Sequence, residues 1–234
     1  MQSISPKHMV NLAIGVFMES NEVVLIMSMP EDSFFEQQES IGFIETLFRR
    51  ASELELFITQ LEQVTTSLAG KHITPELRLS DMDLNFQKNI TSQIKSCLFS
   101  AYGIQLKSKD VGPAYFAALF HTNESKVVAA ALADFRPYPD NEFATRMEGV
   151  KKKWQRQSIG RELFRFIECI VRFLVMVDSF IGLNIAGINE VTLKSYVDHD
   201  APDWQHKMML GMGYTQDDDS WGEDVEFSKF IGCE

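Results

Sequence analysis

The chain has 234 residues, 45% of them hydrophobic and 24% charged, enough for one well-buried core and far from a disordered composition. Its 33 acids against 22 bases leave a net charge of −11, which excludes general binding to DNA, RNA or an anionic membrane, partners that reward broad basic surfaces. Three scattered cysteines and five histidines without metal-ligand spacing exclude a disulfide framework and a structural metal, and point to a reducing, cytoplasmic setting. Residues 1–6 lack the basic and apolar regions of a secretory signal. The longest apolar tract, 166–185, is broken by Glu168, Arg172 and Asp178, so no membrane span is expected.

In chain order, two β-rich runs at 11–18 and 22–29 flank Glu19-Ser20-Asn21 and read as a hairpin. From about 36 to 68, Ile44, Leu47, Ala51, Leu54, Ile58, Leu61, Thr65 and Leu68 recur at three- and four-residue steps, which predicts a long helix with one apolar seam, closed by Gly70. Such a seam suits either a helix lying on its own core or a coiled coil that pairs two copies of the chain. A second helix is predicted over 81–102, with Leu84, Ile90, Ile94 and Leu98 on one face. The period then changes to that of strands: 114–120, a turn at 121–125, 127–135, a loop at 136–141, and a third strand at 142–151. Residues 158–181 read as a helix apolar on nearly all sides, and 191–197 as a strand. Asp200, Pro202 and Asp203 look like a helix start, the Gly211-Met212-Gly213 run its end, and 225–231 alternates as a final strand.

The stretch Glu148-Gly149-Val150-Lys151-Lys152-Lys153-Trp154-Gln155-Arg156-Gln157-Ser158-Ile159-Gly160-Arg161 carries the strand into the long helix through a basic loop. Between 146 and 172, eight bases face three acids, so this window holds +5 while the rest of the chain sums to −16. Concentrated positive charge on an acidic chain suits a local anionic ligand, and small residues at a helix start let successive N–H groups point at a phosphate. Gln155, Arg156 and Arg161 add side-chain donors.

The order of elements and this loop resemble the GCN5-related N-acetyltransferase superfamily. The segment from Glu148 to Gly160 aligns without a gap to the family pattern L-A-V-x-x-x-[YF]-[RQ]-G-x-G-x-[GA], with Arg156 and Ser158 where it has glycines. Met208-Met209-Leu210-Gly211-Met212-Gly213-Tyr214 is similar to its [FL]-Y-x-x-L-G-F, with Met209 at the tyrosine, and 225–230 to its closing strand. The resemblance implies an α/β (α+β) fold, with a mixed, mostly antiparallel sheet flanked by helices and a V-shaped opening between its fourth and fifth strands. It covers about 110–234 well. Residues 1–71 are either an extension to a domain at 72–234 or the first elements of the same domain.

What the resemblance implies chemically is acyl transfer from acetyl-CoA, or another acyl-CoA, to an amine, without a metal. The backbone of Glu148 and Val150 would hold the pantetheine arm, and Gln155, Arg156, Gln157, Ser158, Ile159, Gly160 and Arg161 would surround the pyrophosphate. Glu148 and Glu142, which simple alternation puts on one strand face, are the candidate bases; Tyr214 and Tyr196 are the phenols nearest Met209, and Tyr214, the candidate acid, also stands at the position of a packing aromatic. The acids at 217–219 and 223–224 suit either a cationic amine acceptor or a solvated turn. A catalytically silent protein of the same fold, binding CoA or a protein partner, is the competing expectation, and an unrelated α/β interaction module the third.

Overall fold

The computed structural model describes residues 13–19, 22–28, 51–79, 84–103, 105, 114–136, 141–176, 190–198, 201–217 and 224–232. Strands β1 (Ala13–Glu19) and β2 (Glu22–Ser28) form the expected antiparallel hairpin, with Glu19 opposite Glu22 across a two-residue connection. Helix α1 (Ala51–Ala69) is the described part of the long helix, and 36–50 lie outside the described residues. Strand β3 (Ile73–Leu79) follows. It tolerates Pro75 because it lies at the edge of its sheet, where a missing N–H costs no ladder bond. Helix α2 (Leu84–Tyr102) leads to β4 (Phe116–Thr122), β5 (Val127–Arg136) and β6 (Glu142–Val150). Helix α3 (Ile159–Met176), β7 (Glu190–Asp198), α4 (Asp203–Gly211), β8 (Thr215–Gln216) and β9 (Asp224–Gly232) complete the order. The two-residue β8 had no sequence signal. Helix α4 has Pro202, not Asp200, at its N-cap, without a side-chain capping bond, and Asp200 lies outside the described residues.

Seven strands form one sheet in the order β3-β4-β5-β6-β7-β9-β8. Every pairing is antiparallel except β6 with β7, which run parallel and stay in register only from Glu142/Thr192 to Ala144/Lys194. This is the mixed, mostly antiparallel sheet opened between its fourth and fifth strands that the resemblance implied.

Helices cover both faces. Alanines at 117, 118, 129, 130, 131 and 133 keep the centre of the sheet thin, so helices can approach closely from either side. On one face, Phe57, Leu61, Val64 and Leu68 of α1 join α3 in a single core, with the Phe57 and Phe173 rings 4.9 Å apart. Leu61 and Leu68 belong to the expected seam, while Phe57 and Val64 lie beside it. On the other face, Ile94, Cys97 and Leu98 of α2 pack on Ala130, Leu132 and Met147. Among the described residues, no helix is long and apolar enough to cross a membrane.

The position of α2 depends on Gly149. A Cβ there would stand 2.8 Å from Leu98 Cδ2, 3.1 Å from Tyr102 Cε2 and 3.2 Å from Ala101 Cβ. Gly149→Ala is therefore expected to lower unfolding free energy by about 1–3 kcal/mol in urea titration, as overpacking does, and a neutral result would mean that α2 can shift freely.

Candidate functional site

After Ala144 the chain of β6 gains one residue relative to β5: Ala133 faces Thr145, but Leu132 faces Met147, leaving Arg146 as a bulge. A one-residue insertion inverts alternation, so the expectation that Glu142 and Glu148 share a face fails here. Glu142 pairs across the sheet with Arg136, and its carboxylate meets Arg136 and Lys194 at 2.9 Å each, on the side of α2. Glu148 pairs with Ala131, whose side chain faces α3. Glu142 is a buried ion-pair member and does not reach the cavity described next.

Where β6 and β7 part, a cavity of about 740 Å³ opens between α2, α3 and α4. Its strand walls are residues 146–150 of β6 and 196–198 of β7, with Asp224 of β9. Lys151 N donates to Val128 O, so in the alternating ladder the main-chain groups of Gly149 face β5, and those of Glu148 and Val150 face away from it, into the opening. Consistent with this, Glu148 O accepts from Tyr102 Oη and Val150 O from Gln155 Nε2 at 3.0 Å.

One end of the cavity is the basic loop. A 3₁₀ turn (Lys152–Trp154) brings the chain to Gln155, then Arg156 and Ser158 both adopt left-handed backbone, φ 61° each. These are the two positions where the family pattern has glycine. The chain keeps glycine's geometry with side chains that pay about 1 kcal/mol or more apiece to adopt it. Because Ser158 cannot be helical, α3 starts at Ile159, with Glu162 N bonded to Ser158 O. The N–H groups of Ile159, Gly160 and Arg161 precede the first intrahelical bond, so the start of α3 offers a nest of free amide donors to an anion. Gly160 leaves space beside it, since a Cβ would meet only Val150 Cγ2 at 3.7 Å.

The cavity is lined by Glu148, Val150, Gln155, Arg156, Ser158, Ile159, Gly160 and Arg161. Gln157 is the exception among the expected pyrophosphate residues: its amide donates to Lys153 O at 3.2 Å, outside the cavity. The Gln155 amide, expected to reach a phosphate, is turned back on its own strand. Tyr214 is buried against Phe164 beneath the Lys229 ammonium, whose Nζ lies 5.4 Å from its ring, and does not line the cavity. Met209 does line it, fully buried. Among the described residues, the phenols that reach the cavity are Tyr102 and Tyr196. Tyr196 was visible in the sequence only as one of the two phenols nearest Met209, and Tyr102 gave no signal, because its place depends on how α2 crosses Gly149. Cys97 and Cys169 are buried thiols whose ionisation burial pushes up to about 11 and about 12, so neither is a nucleophile.

Glu148 is the group best placed for proton transfer. Removal from water raises its pKa most; hydrogen bonds from Ser195 Oγ at 3.3 Å and from Thr145 oppose this, and Asp224 adds to it, leaving the carboxyl at about 7. Among the described residues, no cluster of side chains could hold a metal ion.

No family model matches the chain, and no curated protein matches it. Among solved structures it is similar to the ribosomal-protein-S18-alanine N-acetyltransferase of Escherichia coli, at 13% identity over 69% of this chain and 95% of that one, TM-score 0.45. It is also similar to Arabidopsis thaliana Naa50 in complex with the bisubstrate analogue CoA-Ac-MVNAL, at 14% identity over 68% and 98%, TM-score 0.47. A putative acetyltransferase of the GNAT family from Desulfovibrio desulfuricans matches at 10% identity over 69% and 99%, TM-score 0.47. Likeness at this level leaves the fold to be judged from the strand order and the parted strands themselves.

Two stability measurements check this geometry. Ser158→Gly is expected to raise unfolding free energy by about 1 kcal/mol by relieving left-handed backbone; a loss of that size would contradict the strain. Glu148 binds its proton more tightly folded, at about 7, than unfolded, at 4.5, so it weakens the fold as pH rises between those values. Glu148→Gln is therefore expected to be more stable than the parent at pH 8, by on the order of 3 kcal/mol, and not at pH 4. Equal stability at both pH values would contradict the desolvation of Glu148.

Proposed function

We propose that the chain is an acyl-CoA-dependent N-acyltransferase, using acetyl-CoA as donor and a primary amine of a small molecule, peptide or protein as acceptor. The observation that carries the reading is a single cavity joining three parts: an anion nest at the start of α3, an unpaired strand edge on β6, and a carboxyl with a pKa of about 7. A nucleotide pyrophosphate fits the first, an amide-bearing arm can add as a pseudo-strand to the second, and an amine's proton can pass to the third.

In the proposed reaction Glu148 takes a proton from the acceptor ammonium, directly or through one water, because only the neutral amine is nucleophilic. The nitrogen then forms its bond to the acyl carbon and sheds its second proton to solvent, to which Glu148 also returns the first, while the carbon–sulfur bond breaks and the sulfur leaves as a thiolate that needs a proton. Met209 cannot supply it. Tyr196 stands two residues beyond the last paired position of β7, where the strands part, and its hydroxyl oxygen accepts a hydrogen bond from Arg136, a group that only donates. Its own O–H proton is thereby left for the thiolate, and solvent restores it. Asp198 and Asp224 line the same cavity and favour a cationic acceptor. Unpaired Cys97 and Cys169 suit a reducing, cytoplasmic compartment.

Met209 also gives the second reading its support: a chain without the family's phenol on α4 can bind CoA and transfer nothing, serving as a sensor or scaffold. Thiol release from acetyl-CoA over a panel of amines separates the two. The enzyme reading expects turnover that rises with pH through an apparent pKa of about 7, lost by 10²–10⁴-fold in Glu148→Gln. Gly160→Trp, which fills the nest, is expected to abolish binding of acetyl-CoA. Binding without turnover would favour the silent reading, and no calorimetric heat or thermal shift at millimolar acetyl-CoA would sink both.

A further inference from the structure

The strand edge that the proposed donor would occupy is not bare. Of the β6 carbonyls facing the opening, Glu148 O holds the Tyr102 hydroxyl and Val150 O holds the Gln155 amide. The two acceptors are one strand repeat apart, about 6.8 Å along the chain, on the same side of the strand. Their donors come from separate elements, the last residue of α2 and the first residue after the 3₁₀ turn. Neither donor is locked in place. Tyr102 is 52% exposed, with one edge of its ring against Gly149, and Gln155 is half-buried. Both side chains can turn to water at small cost, while a carbonyl that loses its donor inside a cavity cannot.

Resting on the acyl-carrier reading above, we propose that Tyr102 and Gln155 determine donor specificity as stand-in hydrogen-bond donors, which hold the β6 edge closed until a carrier arm with its own amide N–H groups replaces them. The exchange is donor for donor: each carbonyl keeps a hydrogen bond, and the displaced phenol and amide are hydrated. A carrier without amides would strip the same carbonyls and return nothing, so it is disfavoured by the edge itself. The nest at Arg156 to Arg161 is separate from these two contacts, so phosphates can bind with both stand-ins in place.

The test is calorimetric titration of the full chain with two probes: coenzyme A, which has the amide arm, and 3′,5′-ADP, which has the base and phosphates without it. Tyr102→Phe keeps the ring against Gly149 and removes only the hydroxyl that must be displaced. It is expected to bind coenzyme A about 2- to 10-fold more tightly than the parent, the worth of one competing hydrogen bond, and 3′,5′-ADP with unchanged affinity. Gln155→Met is expected to act in the same direction. Coenzyme A affinity unchanged or weakened in Tyr102→Phe, or a parallel change for 3′,5′-ADP, would overturn the inference while leaving the acyl-carrier reading intact. A parent chain that binds neither probe would overturn both.

Discussion

Everything at the site follows from the parting of two strands. Parallel β6 and β7 share a register for three residues, from Glu142/Thr192 to Ala144/Lys194, and then the bulge at Arg146 turns β6 away. Had pairing continued, the main-chain groups of Glu148 and Val150 would be spent on β7 and there would be no cavity. Because it stops, a central strand has one side bonded to β5 and the other facing open space, a condition that sheets normally meet only at their edges. The same inserted residue moves Glu148 to the opposite face from Glu142. One carboxylate thus becomes a structural ion-pair member beside Arg136 and Lys194, and the other a desolvated group held by Ser195 and Thr145.

Two local costs surround this opening, and both lie where a ligand would offset them. Arg156 and Ser158 hold left-handed backbone that glycine would adopt freely, and Glu148 is buried enough to keep its proton near neutral pH. Strain and desolvation of this kind persist only where the surrounding packing enforces them. Here α3 enforces the first by starting directly after Ser158, and its apolar residues close the core behind the loop. The −11 net charge sharpens the contrast, since the basic window carries +5 against −16 over the rest of the chain and attracts phosphate over a Debye length.

Much of the fold was legible in the sequence. The meander 114–151, the long helix from Ser158 and the alternating end of the chain gave the element order, and turn residues punctuated them near the observed bounds. The site was legible only as far as the chain is continuous: the loop from Gln155 to Gly160 could be located by its own composition. What failed depended on contacts between distant segments. Alternation put Glu142 and Glu148 together because a bulge leaves no mark in a single strand's pattern. Tyr214 looked eligible because sequence distance does not reveal that Lys229 and Phe164 enclose it, and Tyr102 was invisible because its role depends on α2 crossing β6 at Gly149. Left-handed backbone at Arg156 and Ser158 was likewise implied only by the glycines of a resembling pattern, not by the residues themselves.

The central claim is that the free side of β6 takes up an acyl carrier as a pseudo-strand. Residue-resolved amide hydrogen exchange of the full chain, with and without coenzyme A, tests it most directly. The account expects exchange at the Glu148 and Val150 amides to slow when coenzyme A is added, with Gly149, already bonded to β5, changing little. Exchange at Glu148 and Val150 that is indifferent to saturating coenzyme A would contradict it.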